Sequence, residues 1–297
     1  MKLFFAIPFL FLSSQLCAED LFTAKAITKE GVFSSGIEGP ACDKDGNLYA
    51  VNINERGTIG IVEPGKPAEL WVTLPDGSTG NGIRFDRAGQ MYVADYKGHN
   101  ILKIDPETKK VSVLAHEATM SQPNDIAIGP DDYLYASDPA WKDKTGQIWL
   151  ISPAGKVTNL AKDIGTTNGI ELSPDGKKLY VGESIQRKVF VYDIGSDHQL
   201  SNKKLLIEFP DHNLDGIRCD VDGNLYVTRH SAGVVLKLSP DGKVLKTIDV
   251  LGTMPSNICF GGPDGCTAYV TEVEKKRIVS FRVDRPGASW QRWQETP

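Results

Sequence analysis

Six residues spaced almost evenly along the chain carry oxygen-bearing side chains. They are Glu38, Asn81, Asn124, Asn168, Asp215 and Asn257, at intervals of 43, 43, 44, 47 and 42 residues. Carboxylate and amide oxygens are hard donors, and Ca²⁺ takes roughly six to eight of them, with water completing the shell. Two carboxylates among amides neutralise a divalent ion and leave no excess charge. Imidazole and thiolate are absent from the set, which argues against zinc and copper. Turn chemistry alone accounts for Asn-Gly openings such as Asn81. It does not account for Glu38, and bare carboxylates gathered in an interior are costly. One hard divalent cation, such as Ca²⁺, is therefore the expected cofactor.

Residues so far apart converge only if each holds the same place in a repeated unit, and the sequence contains that unit. The copies read EGPACDKDGNLYAVN from Glu38, NGIRFDRAGQMYVAD from Asn81 and NDIAIGPDDYLYASD from Asn124. They continue as NGIELSPDGKKLYVGE from Asn168, DGIRCDVDGNLYVTR from Asp215 and NICFGGPDGCTAYVTE from Asn257. Apolar residues alternate on both sides of an Asp/Gly turn, the pattern of a β-hairpin. A third alternating run follows each hairpin, such as ILKI at 101–104, and in most units a fourth, such as VSVL at 111–114. Six units of four antiparallel strands predict an all-β fold, a six-bladed β-propeller whose innermost strands surround a central metal site. Residues 19–297 are expected to form this single domain. Either Leu21 to Thr28 or the Trp290/Trp293 tail is expected to complete the last blade.

In such a ring the end of each second strand returns beside the first residue of its unit. That places Asn52 to Arg56, Asp95 to Tyr96, Asp138 to Trp141, Glu183 to Ser184 and Arg229 to His230 around the channel mouth. Tyr96, Trp141 and His230 are candidate substrate contacts, with apolar bodies and polar tips. His230 reads equally as a proton shuttle or as a loop histidine. Arg229 reads equally as an anion contact or as the partner of a nearby acid.

The remaining features narrow the setting. Residues 1–18 have a Lys2 n-region, an apolar stretch from Leu3 to Leu12 and a small-residue approach to Ala18, the form of a cleaved secretory signal. That stretch is too short to span a bilayer, so an exported protein, periplasmic or secreted, is expected, with no membrane partner once the signal is gone. The net charge of -5 gives no basic surface for nucleic acid. Of the cysteines beyond Cys17, Cys42, Cys219 and Cys259 read as buried small hydrophobes, while Cys259 and Cys266 flank a turn and could pair. DKDGN at 43–47 and DVDGN at 220–224 lack the Glu that closes a calcium-binding EF loop, and HEATM at 116–120 lacks the second His of a zinc protease motif.

EGP at 38–40, QPND at 122–125, TNGIELSPDGKKLYVGES at 167–184, LDGIRCDVDGNLYV at 214–227 and PSNICFGG at 255–262 resemble the gluconolactonase/senescence-marker-protein/luciferin-regenerating-enzyme family. The resemblance runs along nearly the whole chain after residue 18. It implies a six-bladed propeller with a divalent cation, usually calcium, on its axis. It implies Glu38, Asn168 and Asp215 as metal ligands, Asn124 as a metal ligand in some members and a substrate contact in others, and Asp215 as the catalytic acid/base. Asn81, in the same ring, is a further candidate contact to a small-molecule substrate. Sugar-lactonase members often carry a substrate-holding Arg where this chain has Gln122, and a neutral amide cannot clamp an acidic group as Arg does. The expected activity is a metal-dependent lactonase, with water attacking a lactone or ester carbonyl. A non-catalytic binding propeller with a structural calcium is the competing expectation, and a lyase a third.

Overall fold

Alternation and turn chemistry give hairpins, and the hairpins assemble as their spacing predicts. The computed structural model describes residues 20–294, so the segment read as a signal lies outside the described residues. Six four-stranded antiparallel sheets stand around an axis as the blades of a propeller. The innermost strands are Phe33–Cys42, Gly80–Phe85, Ile126–Ile128, Thr167–Leu172, Ile217–Cys219 and Pro255–Gly261. Each packs against its counterpart in the next blade, and the last packs against the first.

Local chemistry fixes the hairpins. The Asp43 Oδ1 accepts the amides of Asp45 and Asn47, both at 2.9 Å, and the Asp220 Oδ1 accepts those of Asp222 and Asn224 at 3.0 and 2.9 Å. Both EF-like segments are thus turns whose first Asp folds the backbone around itself. The tyrosine that recurs in the second strand completes the device. Tyr49 and Tyr92 donate to Asp43 and Asp86 at 3.0 and 2.9 Å, satisfying hydroxyls whose rings sit in the core.

The apolar residues of each strand fill the wedges between blades. Between the first two blades, Val51 and Ile59 meet Ile83, Phe85, Met91 and Val93, each with at most 3% of its surface exposed. The outermost strands contribute least to these cores: Leu200–Glu208 is mostly exposed or half-buried.

The sequence left two candidates for closing the ring, and the amino-terminal one does so. Lys25 and Ala26 pair antiparallel with Ser280 and Val279 as the fourth strand of the last blade. The tail instead forms a helix, Ala288–Gln294, which alternation-based reading did not find because it is under two turns long. It packs against Pro255–Gly261, and its Arg292 Nη1 donates to the Ile128 carbonyl at 3.1 Å.

Of the two readings of the cysteines, the buried small hydrophobe is the one observed: Cys42, Cys219 and Cys259 are free and buried, and Cys259 does not pair with Cys266. Cys259 faces the first blade, its Sγ 3.9 Å from that of Cys42, whereas Cys266 packs on the core shared with the fifth blade. The two cysteines occupy opposite faces of one sheet.

Candidate functional site

The motif "polar residue then glycine" has a steric origin that also places the ring. A Cβ on Gly39 would stand 1.9 Å from the carbonyl oxygen of Asn81, and one on Gly169 would stand 2.3 Å from that of Asp215. Without side chains there, the backbone of one blade donates to the next: the Gly169 amide reaches the Asp215 carbonyl at 3.0 Å and the Gly82 amide that of Asn124 at 2.8 Å. Each glycine thus lets adjacent innermost strands close up, which brings the preceding polar side chains together.

Those side chains floor a cavity of about 400 Å³ at one end of the channel. Glu38, Asn81, Asn124, Asn168 and Asp215 all line it, as do Tyr96, Trp141 and His230. Gln122 does not. Its amide donates to the Asp138 Oδ1 at 2.5 Å, and that contact belongs to the loop entering the third blade. Asn257, the sixth residue of the ring, is committed to the protein: its Nδ2 donates to the Glu38 Oε2 and its Oδ1 accepts the Ile258 amide, both at 2.9 Å.

The electrostatics of the floor are unusual. The Glu38 Oε2 accepts the Gly39 amide at 2.6 Å, yet burial pushes the carboxyl up to about 7, with the Asp125 charge adding to the rise. Asp215 lies within hydrogen-bonding reach of both Asn168 and Glu38. Burial, then the Glu38 charge, hold its carboxyl well above the usual carboxylate range. Both side chains sit deep in the protein and face cavity space, which is why they are costly to ionise while keeping some exposed surface. Two further oxygens are stranded: Oδ1 of Asn81 and Oδ1 of Asn168 are buried without any partner. Buried polar atoms are seldom left so.

Beneath the ring lies a second charged layer that sequence reading missed. Asp125 is fully buried, and Arg218 reaches it from the fifth blade. Arg84 reaches it from the second, Nη2 to Oδ1 at 3.2 Å. The Arg218 Nε also stands 3.9 Å from the Glu171 Oε2. The two guanidinium groups balance Asp125 and Glu171. Among the described residues no cation pairs with Glu38 or Asp215. Ionised together, these two carry the charge that one divalent cation would neutralise. A sequence signal was present: Arg84, Glu171 and Arg218 each stand three residues after a ring residue and interrupt an apolar run. The common partner of the two arginines, Asp125, occupies the place where neighbouring units have glycine.

The donor set therefore fits a hard divalent cation: two carboxylates plus amide carbonyl oxygens, two of them without partners. Among the described residues no three His, Cys, Asp or Glu side chains cluster as ligands, so the amides are indispensable to such a site.

The strand ends around the mouth divide into two groups. Asp95 and Asp138 point into their own blades. Asp95 accepts the Thr79 amide at 2.9 Å, and Asp138 accepts the Ser121 amide and the Trp149 Nε1, each at 2.9 Å. Arg229 pairs with Asp211, Nη2 to Oδ1 at 3.1 Å, and lies over the Phe209 ring at 3.8 Å. Tyr96, Trp141 and His230 face the cavity. Burial lowers the His230 pKa from its ordinary value, so its imidazole is neutral at pH 7.

Comparison with known proteins adds independent findings. The family model described as the SMP-30/Gluconolactonase/LRE-like region matches residues 37–274. A gluconolactonase of Zymomonas mobilis is 28% identical over 270 residues, 79% of this chain and 75% of its own length. A diisopropyl-fluorophosphatase of Loligo vulgaris is 27% identical over 284 residues, 85% of this chain and 90% of its own. Among solved structures, the calcium-binding protein regucalcin from Agrobacterium tumefaciens superposes with a TM-score of 0.75 at 21% identity, covering 86% of this chain and 92% of that one.

Proposed function

The chain belongs to the SMP-30/Gluconolactonase/LRE-like family, and from that premise we propose that it is a metal-dependent hydrolase that opens a lactone with water. One observation carries the reading: Glu38 and Asp215 share a proton-hungry site at the cavity floor, beside the unpartnered amide oxygens of Asn81 and Asn168. The relatives named for lactone and phosphofluoridate hydrolysis support the reaction class.

Glu38, Asn124, Asn168 and Asp215 would hold the cation, taken as Ca²⁺ because every donor is a hard oxygen. A divalent cation bound there supplies Lewis acidity at the substrate carbonyl. Asp215, held as the carboxylate beside the cation, would orient the attacking water, take a proton from it and return one to the ring oxygen that leaves. The Asn81 amide, at the cavity floor, orients substrate hydroxyls. Tyr96 and Trp141 wall the cavity and restrict the poses a flat ring can take. Neutral His230, at the rim, accepts the proton that must leave the site. The reading also takes the protein as exported, on the strength of residues 1–18.

A panel of aldonolactones and aryl esters, followed by acid release with and without a chelator, tests the proposal. Turnover abolished by chelation and by Asp215→Asn supports it. Turnover indifferent to both overturns the mechanism, and a folded, Ca²⁺-binding protein inert on the whole panel favours a binding propeller.

A further inference from the structure

We propose that Arg56 forms an anion subsite at the cavity mouth, so that the preferred substrate is a lactone bearing a second, anionic group remote from its reactive carbonyl. The inference deepens the lactone-hydrolase reading and rests on it.

Arg56 differs from the other arginines near the channel. Arg84 and Arg218 are fixed on Asp125, and Arg229 is fixed on Asp211. Arg56 lines the cavity and has no carboxylate partner among the described residues. The other ionisable groups lining that cavity are two acids, the Tyr96 phenol and an imidazole that is neutral at pH 7. Away from the cation held at the floor, this guanidinium is the one positively charged side chain lining the cavity, and its fork matches carboxylate, sulfonate or phosphate oxygens.

The turn that carries Arg56 is held in place. Asn52 adopts φ of +65°, donates to the Gly36 carbonyl at 2.5 Å and accepts the Gly57 amide at 3.2 Å. The Thr58 hydroxyl donates to the Ile53 carbonyl at 2.6 Å and reaches that of Glu55 at 2.8 Å. Gly36 keeps the approach open: a Cβ there would stand 3.3 Å from the Asn52 Nδ2 and 3.8 Å from the Arg56 Nε. The guanidinium also lies close enough to Tyr96 for its charge to oppose the rise that burial causes in the phenol.

Position then selects the ligand. Arg56 is an exposed residue lining the cavity whose floor carries Glu38 and Asp215, so it stands on the mouth side of the ring. The chain of a six-carbon sugar acid, with carbon–carbon bonds of about 1.5 Å, spans ~6 Å from C1 to C6. A ligand whose C1 end meets the floor turns its far end, where a C6 substituent sits, toward the mouth that Arg56 lines.

Calorimetry on the Ca²⁺-loaded full chain tests this with gluconate, which has one carboxylate, and glucarate, which has a second at C6. Wild type is expected to bind glucarate roughly 10- to 100-fold more tightly, the strength of a charge-assisted contact. Arg56→Gln should erase the preference and Arg56→Lys should keep part of it. 6-Phosphogluconate, run alongside, tells whether phosphate serves better than carboxylate. Equal binding of gluconate and glucarate by wild type, no binding of either, or a preference unchanged in Arg56→Gln overturns the subsite. A kinetic arm separates the two proposals. If wild type opens neither gluconolactone nor glucarolactone, the hydrolase reading fails, whatever calorimetry finds. If it opens both alike and Arg56→Gln does too, only the subsite fails.

Discussion

Arg218 grips Asp125 from across the channel, Nη1 to Oδ2 at 2.8 Å and Nη2 to Oδ1 at 3.2 Å, although 93 residues separate them in sequence. The pair ties the fifth blade to the third directly below the candidate metal ring. Removing either member unbalances the buried set they form with Arg84 and Glu171, at a cost of about 3–5 kcal/mol. Arg218→Met and Asp125→Asn should each lower the urea midpoint accordingly. The double variant should lose less than the two added together, because the buried layer then keeps one charge of each sign, Arg84 and Glu171. Single losses under about 1 kcal/mol would show that the pair is not a structural tie.

Glu38 gives the cation-free protein an inverted pH response. Its carboxyl titrates near 4.5 when exposed and at about 7 in the fold. Between those values the folded chain holds more protons than the unfolded one, so stability falls as pH rises. Asp215, also raised, carries the trend further upward. Melts in chelator from pH 5 to 8 should decline in wild type and decline less in Glu38→Gln. Added Ca²⁺ should stabilise more at pH 8 than at pH 5, since protons compete for its ligands.

The same logic separates function from stability at the ring. Glu38→Gln and Asp215→Asn should weaken Ca²⁺ binding by at least ~10-fold, the change that 1.4 kcal/mol produces. Both should also cut lactone opening severely. Without the cation, however, each variant should melt at or above the wild-type temperature at pH 8, because an unpaired buried charge has been deleted. A lower cation-free melting temperature in both would mean that these carboxylates stabilise the fold on their own.

Gly169 is a more demanding position than its place in a strand suggests. A methyl group there meets the Asp215 carbonyl at 2.3 Å and the Ile217 amide nitrogen at 2.6 Å. Gly169→Ala should force the fourth and fifth blades apart, costing about 1–3 kcal/mol or more. Hydrolysis and Ca²⁺ affinity should fall with it, because the displaced backbone is that of Asp215. A variant with wild-type melting and affinity would refute the close approach.

Thiol accessibility provides a check on the core. Cys42, Cys219 and Cys259 are buried and Cys266 is half-buried. An aromatic disulfide reagent should react with Cys266 in the native protein and with the other three only after denaturation. Rapid native reaction in Cys266→Ser would contradict the packing between the first and last blades.

Repetition made most of this architecture legible from sequence. Strand number, blade number and the convergence of Glu38, Asn81, Asn124, Asn168 and Asp215 all follow from one pattern recurring at near-constant spacing. What stayed hidden was pairing across blades. Arg84 and Arg218 were visible as charges inside apolar runs, but nothing local indicates that both end on Asp125. Asn257 matched the ring by position, and only its bonds to Glu38 and Ile258 reveal that its amide is already committed. Gln122 stands where sugar-lactonase relatives often carry a substrate-holding Arg, but its backbone amide is bound by Asp138 and it does not line the cavity. The helix Ala288–Gln294 escaped because a segment so short shows no periodicity.

The register between Lys25 and Ser280 also dictates an order of events during synthesis. The segment around Lys25 is among the earliest of the described residues to be translated, yet its partner strand, Arg277–Arg282, is among the last. Until that strand emerges the chain is an open arc with a raw edge, and no shorter nascent product can shut the ring. Trimming at the front and trimming at the back are therefore one lesion. Either removes a strand from the same blade, and a protease nibbling at opposite ends of the polypeptide would unfasten a single clasp.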